Sequence, residues 1–202
     1  MKNQLLIIFV KNPELGKAKT RLAATVGDEA ALEVYKRLLN RTRDITKDVN
    51  ADKVVFYNQF VDDQDLWHND VYQKKLQIQG NLGEKMLNAF EWAFSSGYEQ
   101  VCIIGSDCYD LTTEIIDGAF TSLQNHQAVI GPSEDGGYYL IGMSEFLPQV
   151  FKNKEWSTET VFSDTIKDFE EGALSFETLT TLNDIDTEED LGDWASDLNP
   201  NT

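Results

Sequence analysis

The strongest constraint on the fold is a run near the start of the chain, Gln4-Leu5-Leu6-Ile7-Ile8-Phe9-Val10, apolar at every position after the first. A strand that is hydrophobic on both faces must be covered on both, which places it inside a parallel sheet between layers of helices. Further β-rich runs at Lys53–Tyr57, Lys75–Gln79, Val101–Gly105, Ala128–Gly131, Tyr138–Met143 and Leu174–Leu182 alternate with segments of helical spacing. Those helical faces carry Leu32, Tyr35, Leu39, Thr42, Ile45 and Val49; then Leu82, Met86, Phe90 and Phe94. Two more follow, through Ile115, Ile116, Ala119, Phe120 and Leu123, and through Val161, Phe162, Thr165, Ile166 and Phe169. The alternation predicts an α/β fold with a mixed, mostly parallel sheet flanked by helices. Lys11–Arg21 is expected to be a loop because Pro13 and Gly16 interrupt it. A last helix is expected from about Glu188, with a frayed tail at Asn199–Thr202.

Composition removes several classes of function. The net charge of −18 repels nucleic-acid backbones and anionic membranes, so no nucleic-acid partner is expected. No stretch approaches the roughly 20 apolar residues of a bilayer span. Met1-Lys2-Asn3-Gln4 enters the first strand without a cleavage-like site, and the chain reads as cytoplasmic. The length, 202 residues, fits one domain over 1–202. Cys102 and Cys108 cannot build a disulfide framework and join no zinc pattern. His68 and His126 lie in neither an H-E-x-x-H nor a G-x-S-x-G context.

Three places concentrate chemistry. In the first loop Lys11, Lys17, Lys19 and Arg21 face only Glu14, a cationic surplus inside an acidic chain. Ligands of open α/β sheets gather beyond the carboxyl ends of the strands, where such a loop can neutralise phosphate, although a solvated surface loop has the same composition. The loop matches neither G-x-x-x-x-G-K-[ST] nor G-x-G-x-x-G. Next, the strand Val101–Gly105 runs into Ser106-Asp107, with Asp110 nearby. Asp107 at a strand end suits Mg2+, which bridges one or two carboxylates to substrate phosphates; its alternative is an Asx turn or a helix cap. Finally, Asp184-Ile185-Asp186-Thr187-Glu188-Glu189-Asp190 offers Asp186 as a second metal ligand, with the residues after it assigned to helix-start chemistry.

Five segments in fixed order carry a family resemblance. They are Phe9-Val10-Lys11-x-Pro13-x-x-Gly16-x-x-Lys19-Thr20-Arg21-Leu22, Gly80-Asn81-Leu82-Gly83-Glu84-Lys85-Met86 and Gly105-Ser106-Asp107-Cys108, followed by Gly131-Pro132-x-x-Asp135-Gly136-Gly137-Tyr138-Tyr139-Leu140-Ile141-Gly142 and Trp156-Ser157-Thr158. Together they resemble the small bacterial GT-A-type transferases, also called the glycosyltransferase A family or selenodomain-associated transferases, of the nucleotide-diphospho-sugar transferase superfamily. The resemblance implies a Rossmann-like GT-A fold. It assigns nucleotide and phosphate contacts to Lys11, Gly16, Lys19, Arg21, Gly80 and Lys85, and Mg2+ or Mn2+ to Asp107 and Asp186. Asp135 becomes the candidate base or a further metal ligand, unless it serves only its own turn. Gly136, Gly137, Tyr138, Trp156, Ser157 and Thr158 fall in the acceptor region, where Trp156 either offers its indole face or belongs to the core. The chain departs from the pattern at Tyr109, where the family usually has proline, and at Lys85, usually arginine. Lysine keeps the charge but loses the bidentate fork.

The leading expectation is therefore metal-dependent transfer of a glycosyl group from a nucleoside-diphosphate sugar to a small-molecule acceptor. The first alternative is a nucleotidyltransferase that moves a nucleoside monophosphate from a triphosphate to a phosphorylated acceptor. The second is a domain that binds nucleotide without turnover.

Overall fold

The computed structural model describes residues 4–193 and Ala195. Its centre is a seven-stranded sheet of β1 (Gln4–Val10), β2 (Asp52–Tyr57), β3 (Gln73–Leu76), β4 (Gln100–Ile104), β5 (Ala128–Pro132), β6 (Tyr138–Met143) and β7 (Phe176–Thr178). Their order across the sheet is β3-β2-β1-β4-β6-β5-β7. β1 pairs in parallel with both β2 and β4, as its unbroken hydrophobicity requires. Only β6 runs against the other strands, inserted antiparallel between β4 and β5.

Alternate residues of β1 feed two cores. Leu6, Ile8 and Val10 pack with α1 (Thr20–Val26), α2 (Asp28–Thr46) and α4 (Thr113–Ser122), contacting the cluster of Leu22, Val34, Leu38, Ile116 and Phe120. Leu5 and Ile7 belong to the opposite cluster, with Met86 and Phe90 of α3 (Leu82–Ser95) and Phe169 of α5 (Val161–Glu171). The mixed, mostly parallel sheet flanked by helices is the expected fold.

Helix starts follow local chemistry. Asn81 and Glu84 form a reciprocal capping box, each side chain accepting the other's backbone N–H, at 2.9 and 2.8 Å. Thr112 caps α4 by accepting from Ile115 N. Gly27 stands at the start of α2, whose first turn carries Asp28 and Glu29.

Four expectations need correction. The loop from Lys11 ends at Lys19, because Thr20 opens α1. The third strand lies at Gln73–Leu76 instead of Lys75–Gln79: β2 ends at Tyr57, opposite Leu76, and leaves nothing to pair beyond. Gln77 instead donates its backbone N–H to Tyr57 O and its side-chain Nε2–H to Phe56 O. The expected strand Leu174–Leu182 shrinks to Phe176–Thr178, paired with Ala128–Ile130 of β5; beyond it the chain keeps single bonds to β5, from Leu179 N to Ile130 O and from Leu182 N to Pro132 O. The helix expected from Glu188 is not continuous: Glu188–Asp190 forms a 3-10 turn, and Leu191 after it is extended. The expected tail at Asn199–Thr202 lies outside the described residues.

Candidate active site

Parallel strands expose their carboxyl ends on one edge, and a cleft of about 710 Å³ opens there. Its walls include Phe9 and Val10 at the end of β1 and Lys11 after it, Ser106 and Asp107 after β4, Asp135 and Gly137 between β5 and β6, and Asp184 and Asp186. Lys85 and Met86 come from α3, Arg21 from α1, and Ser157 and Thr158 from the segment before α5. A wider, more open hollow at the amino ends of the strands is lined by Gln4, Asp52, Lys53 and Glu99, away from every motif singled out in the sequence.

The cleft is electrostatically lopsided. Asp107, Asp135, Asp184 and Asp186 line it. Against them stand Lys11, Lys85, the exposed Arg21 and Lys19. The Lys19 ammonium lies between two carboxylates, 2.7 Å from Asp107 Oδ1 and 3.0 Å from Asp186 Oδ1, with its side chain only 4% exposed. Arg21 reaches Asp186 Oδ2 at 3.4 Å with 71% of its side chain in solvent. Burial alone would lower the Lys19 pKa, but Asp107 and Asp186 outweigh it and hold the ammonium above its ordinary range. The same residue has a left-handed backbone, φ 49° and ψ 51°, at the start of α1. That conformation costs a non-glycine residue roughly 1–2 kcal/mol, and the two ion pairs hold it in place.

Asp184, which the sequence did not single out, completes the acidic group. Its carboxyl pKa is pushed up to about 7 by burial and by the charges of Asp107 and Asp135, with Lys19 acting in the opposite direction. Asp190 acts through the backbone: its Oδ2 accepts from Asp186 N, Thr187 N and Thr187 Oγ1 and so fixes the turn carrying Asp186. A backbone bond from Ile185 N to Asp107 O, 2.9 Å, joins the two acidic segments.

Could these groups hold a divalent cation? Among the described residues, no three His, Cys, Asp or Glu side chains form a group able to hold a metal ion by themselves. The donors nevertheless match Mg2+ or Mn2+ in kind, since both accept hard carboxylate oxygens and Mg2+ usually completes its shell with water and ligand phosphate. Asp107 and Asp186 are the carboxylates so placed, each about one-third exposed toward the cleft.

Two uncharged residues, Tyr35 and Asn12, hold the cleft's loops. Tyr35, buried on α2, accepts from Lys11 N at 2.8 Å, donates toward Lys11 O at 3.1 Å and lies 3.2 Å from Ser106 Oγ. One hydroxyl thus ties the first loop to the turn that presents Asp107. Tyr35→Phe would orphan a backbone donor, costing about 1–3 kcal/mol. Its thermal unfolding midpoint should fall by roughly 2–10 °C at this chain length; an unchanged midpoint would deny the tie. Asn12 is similarly buried: it donates through Nδ2 to Phe60 O, and its N–H donates to Asn58 Oδ1. It thereby holds the first loop against the segment after β2, which contributes Asn58 to the cleft.

Other expected site residues fall into two groups. Lys11, Arg21, Lys85, Asp107, Asp135, Asp186, Gly137, Tyr138, Ser157 and Thr158 line the cleft. Gly16, Gly80, Gly136 and Trp156 do not belong to its lining. Gly136 instead sits beneath the segment before α5, where an added Cβ would fall 2.0 Å from Glu159 O. Trp156 packs its indole on Gly83, where a Cβ would lie 2.1 Å from the ring, and stacks with Phe151. It is a strut under the wall. Asp135 has one oxygen committed to its own turn, accepting from Ser133 Oγ at 2.8 Å and Gly137 N at 2.9 Å. Tyr109 has a structural partner, since the Arg41 guanidinium lies 5.4 Å over its ring and donates to its carbonyl. Cys108 is pushed up to about 12 by burial and Asp184, and is a poor thiolate.

The sheet order and carboxyl-edge cleft are those of the nucleotide-diphospho-sugar transferase fold, and solved structures agree. A Desulfovibrio desulfuricans protein, provisionally named a nucleotide-diphospho-sugar transferase, shares 34% identity with a TM-score of 0.85 over 93% of this chain and 84% of its own. More distant in sequence, at 13% identity, is the Anaerococcus prevotii 4-diphosphocytidyl-2C-methyl-D-erythritol synthase, with a TM-score of 0.59 over 94% and 92% of the two chains. A Mycobacterium tuberculosis protein solved in complex with manganese matches at 10% identity and a TM-score of 0.55, over 94% and 95%. The chain belongs to the family described as an uncharacterized protein conserved in bacteria (DUF2064), whose profile matches residues 41–158. No curated protein matches it. Among the described residues no helix is long and apolar enough to cross a membrane.

Proposed function

We propose that residues 1–202 form one GT-A-type transferase domain that uses a nucleoside-diphosphate sugar, with Mg2+ or Mn2+, to glycosylate a small acceptor in the cytoplasm. The observation that carries this reading is the meeting of Lys11, Lys19 and Arg21 with Asp107 and Asp186 at one edge of the sheet. The 34%-identical relative named for nucleotide-diphospho-sugar transfer supports the donor class.

In this reading Lys11 and Arg21 bind the diphosphate, and Asp107 and Asp186 hold the cation. When bound, the cation supplies Lewis-acid neutralisation of the leaving group. The acceptor hydroxyl attacks the anomeric carbon, a carbon–oxygen bond forms to the acceptor, and the bond to the diphosphate oxygen breaks. Asp135, with Oδ1 taken by its turn, receives the acceptor's proton on Oδ2 in an inverting reaction. Gly137, Tyr138, Ser157 and Thr158 border the acceptor's place.

Nucleotidyl transfer is the second reading. It is favoured by Asp107 and Asp186 arriving from separate segments to one point, an arrangement able to clamp an α-phosphate, and by the fold shared with the diphosphocytidyl synthase. Incubation with Mn2+ and each donor class separates the two. Release of a nucleoside diphosphate from a sugar donor is expected; pyrophosphate released from a triphosphate would transfer the site to the second reading. No product and no thermal stabilisation by any donor would refute both.

Arg21→Ala is expected to weaken diphosphate-containing donors about tenfold, about 1.4 kcal/mol, since an exposed guanidinium gives less than a buried one. Free nucleosides should be unaffected by calorimetry. Equal losses for both would reduce Arg21 to a structural partner of Asp186.

A further inference from the structure

The ammonium of Lys19 occupies the space between Asp107 Oδ1 and Asp186 Oδ1, the two carboxylates assigned above to a divalent cation. It is also the more deeply placed group, 4% exposed against 36% and 37% for its partners. An ammonium and a hard divalent cation make the same demand on those oxygens, and two cations drawn to one pair of carboxylates repel each other strongly where water is scarce. The left-handed backbone of Lys19 shows that the chain accepts strain to put the ammonium there.

We propose that Lys19 is the resident counter-ion of this site: it holds Asp107 and Asp186 together in the metal-free protein, and a divalent cation enters only by displacing its ammonium from between them. The inference rests on the metal component of the proposed function. It gives Lys19 two positions, one against the carboxylates and one in the cleft, where a ligand phosphate can receive the released charge. Metal and lysine therefore compete, and a phosphate that captures the lysine strengthens metal binding.

The test uses Mn2+ alone and the full chain. Lys19→Met keeps much of the side chain's length and removes its charge. It should bind Mn2+ at least about tenfold more tightly than the unmodified protein, a change of about 1.4 kcal/mol in calorimetry. Lys19→Arg should bind as weakly as the unmodified protein, and adding Asp107→Asn to Lys19→Met should abolish the gain. Equal or weaker Mn2+ binding by Lys19→Met overturns the proposal.

A second measurement needs no variant and so does not depend on a mutant folding. Acetic anhydride labelling of Lys19, followed by mass spectrometry with the exposed Lys36 as internal reference, should be slow without metal and several-fold faster with saturating Mn2+. Unchanged or slower labelling with Mn2+ bound overturns the displacement. If Mn2+ binds through Asp107 and Lys19 stays protected, this inference fails while the proposed function stands. If neither the unmodified protein nor Lys19→Met binds Mn2+, both fall.

Discussion

Asp107→Asn is expected to abolish metal-dependent nucleotide binding while leaving the fold in place. Two observations separate those outcomes. The backbone of Asp107 is secured independently of its side chain, because Asp107 O accepts from Ile185 N and the turn before it is tied to Tyr35 through Ser106. The side chain is 36% exposed and Lys19, itself 4% exposed, keeps Asp186 as a partner, so the stability loss should be about 1–3 kcal/mol, less than a folded domain's whole stability. Affinity behaves differently. Asparagine removes an anionic oxygen that would hold a divalent ion against a diphosphate, and the Mg2+-dependent affinity for a nucleotide donor should fall at least roughly 100-fold, about 2.8 kcal/mol. Calorimetry with and without Mg2+ checks this, and an unchanged affinity with Mg2+ would remove Asp107 from the site.

Gly136→Ala should produce the largest loss of stability. Gly136 has φ +86°, a region costly for any L side chain, and its new Cβ would fall 2.0 Å from Glu159 O and 2.6 Å from the carbonyl carbon. Both are backbone atoms, so no rotamer change relieves the contact. Strain of about 1–2 kcal/mol for the dihedral and about 1–3 kcal/mol for the overlap sum to roughly 2–5 kcal/mol. At this chain length that lowers the unfolding midpoint by roughly 5–15 °C. The bond from Phe162 N to Gly136 O is lost or stretched with it, so residues 153–160 should become sensitive to limited proteolysis. Thermal unfolding and proteolysis are the checks; a midpoint within about 1 °C of the unmodified protein would show that the two segments separate easily.

The strands were legible because burial on both faces leaves a run of apolar residues, as in Leu5–Ile8 and Val101–Ile104. Their order was not, since β6 reaches β4 across a long separation that no local pattern encodes. The limit of β3 was misplaced for the same reason, since it stops where its partner stops, and β7 ends at Thr178 opposite Ile130, before β5 does. In the site, the charge of Lys11, Arg21, Lys85, Asp107 and Asp186 stood out against the surrounding sequence. Lys19 stood out too, but its ion pairs are with residues 88 and 167 positions away, given by Lys19–Asp107 and Lys19–Asp186. Tyr35, Asn12 and Asn58 gave no signal, and Asp184 showed only as the first acid of a run in which Asp186 was the chosen ligand. A tyrosine on an amphipathic helix reads as core, an asparagine beside proline reads as a turn, and only packing brings them to the cleft. Trp156 had two open readings, and its seat on Gly83 selects the packing one.

The reversed strand β6 has a consequence for how this cleft can diversify. Asp107 emerges from β4 and the Asp135 turn from β5, with β6 hydrogen-bonded between them. Two inter-strand spacings of about 4.8 Å each set that gap, and main-chain bonding makes it a rigid gauge that side-chain exchange cannot widen. Under the proposed transfer, acceptors of different size would be accommodated by residues 153–160, a part of the rim that lies outside the ladders.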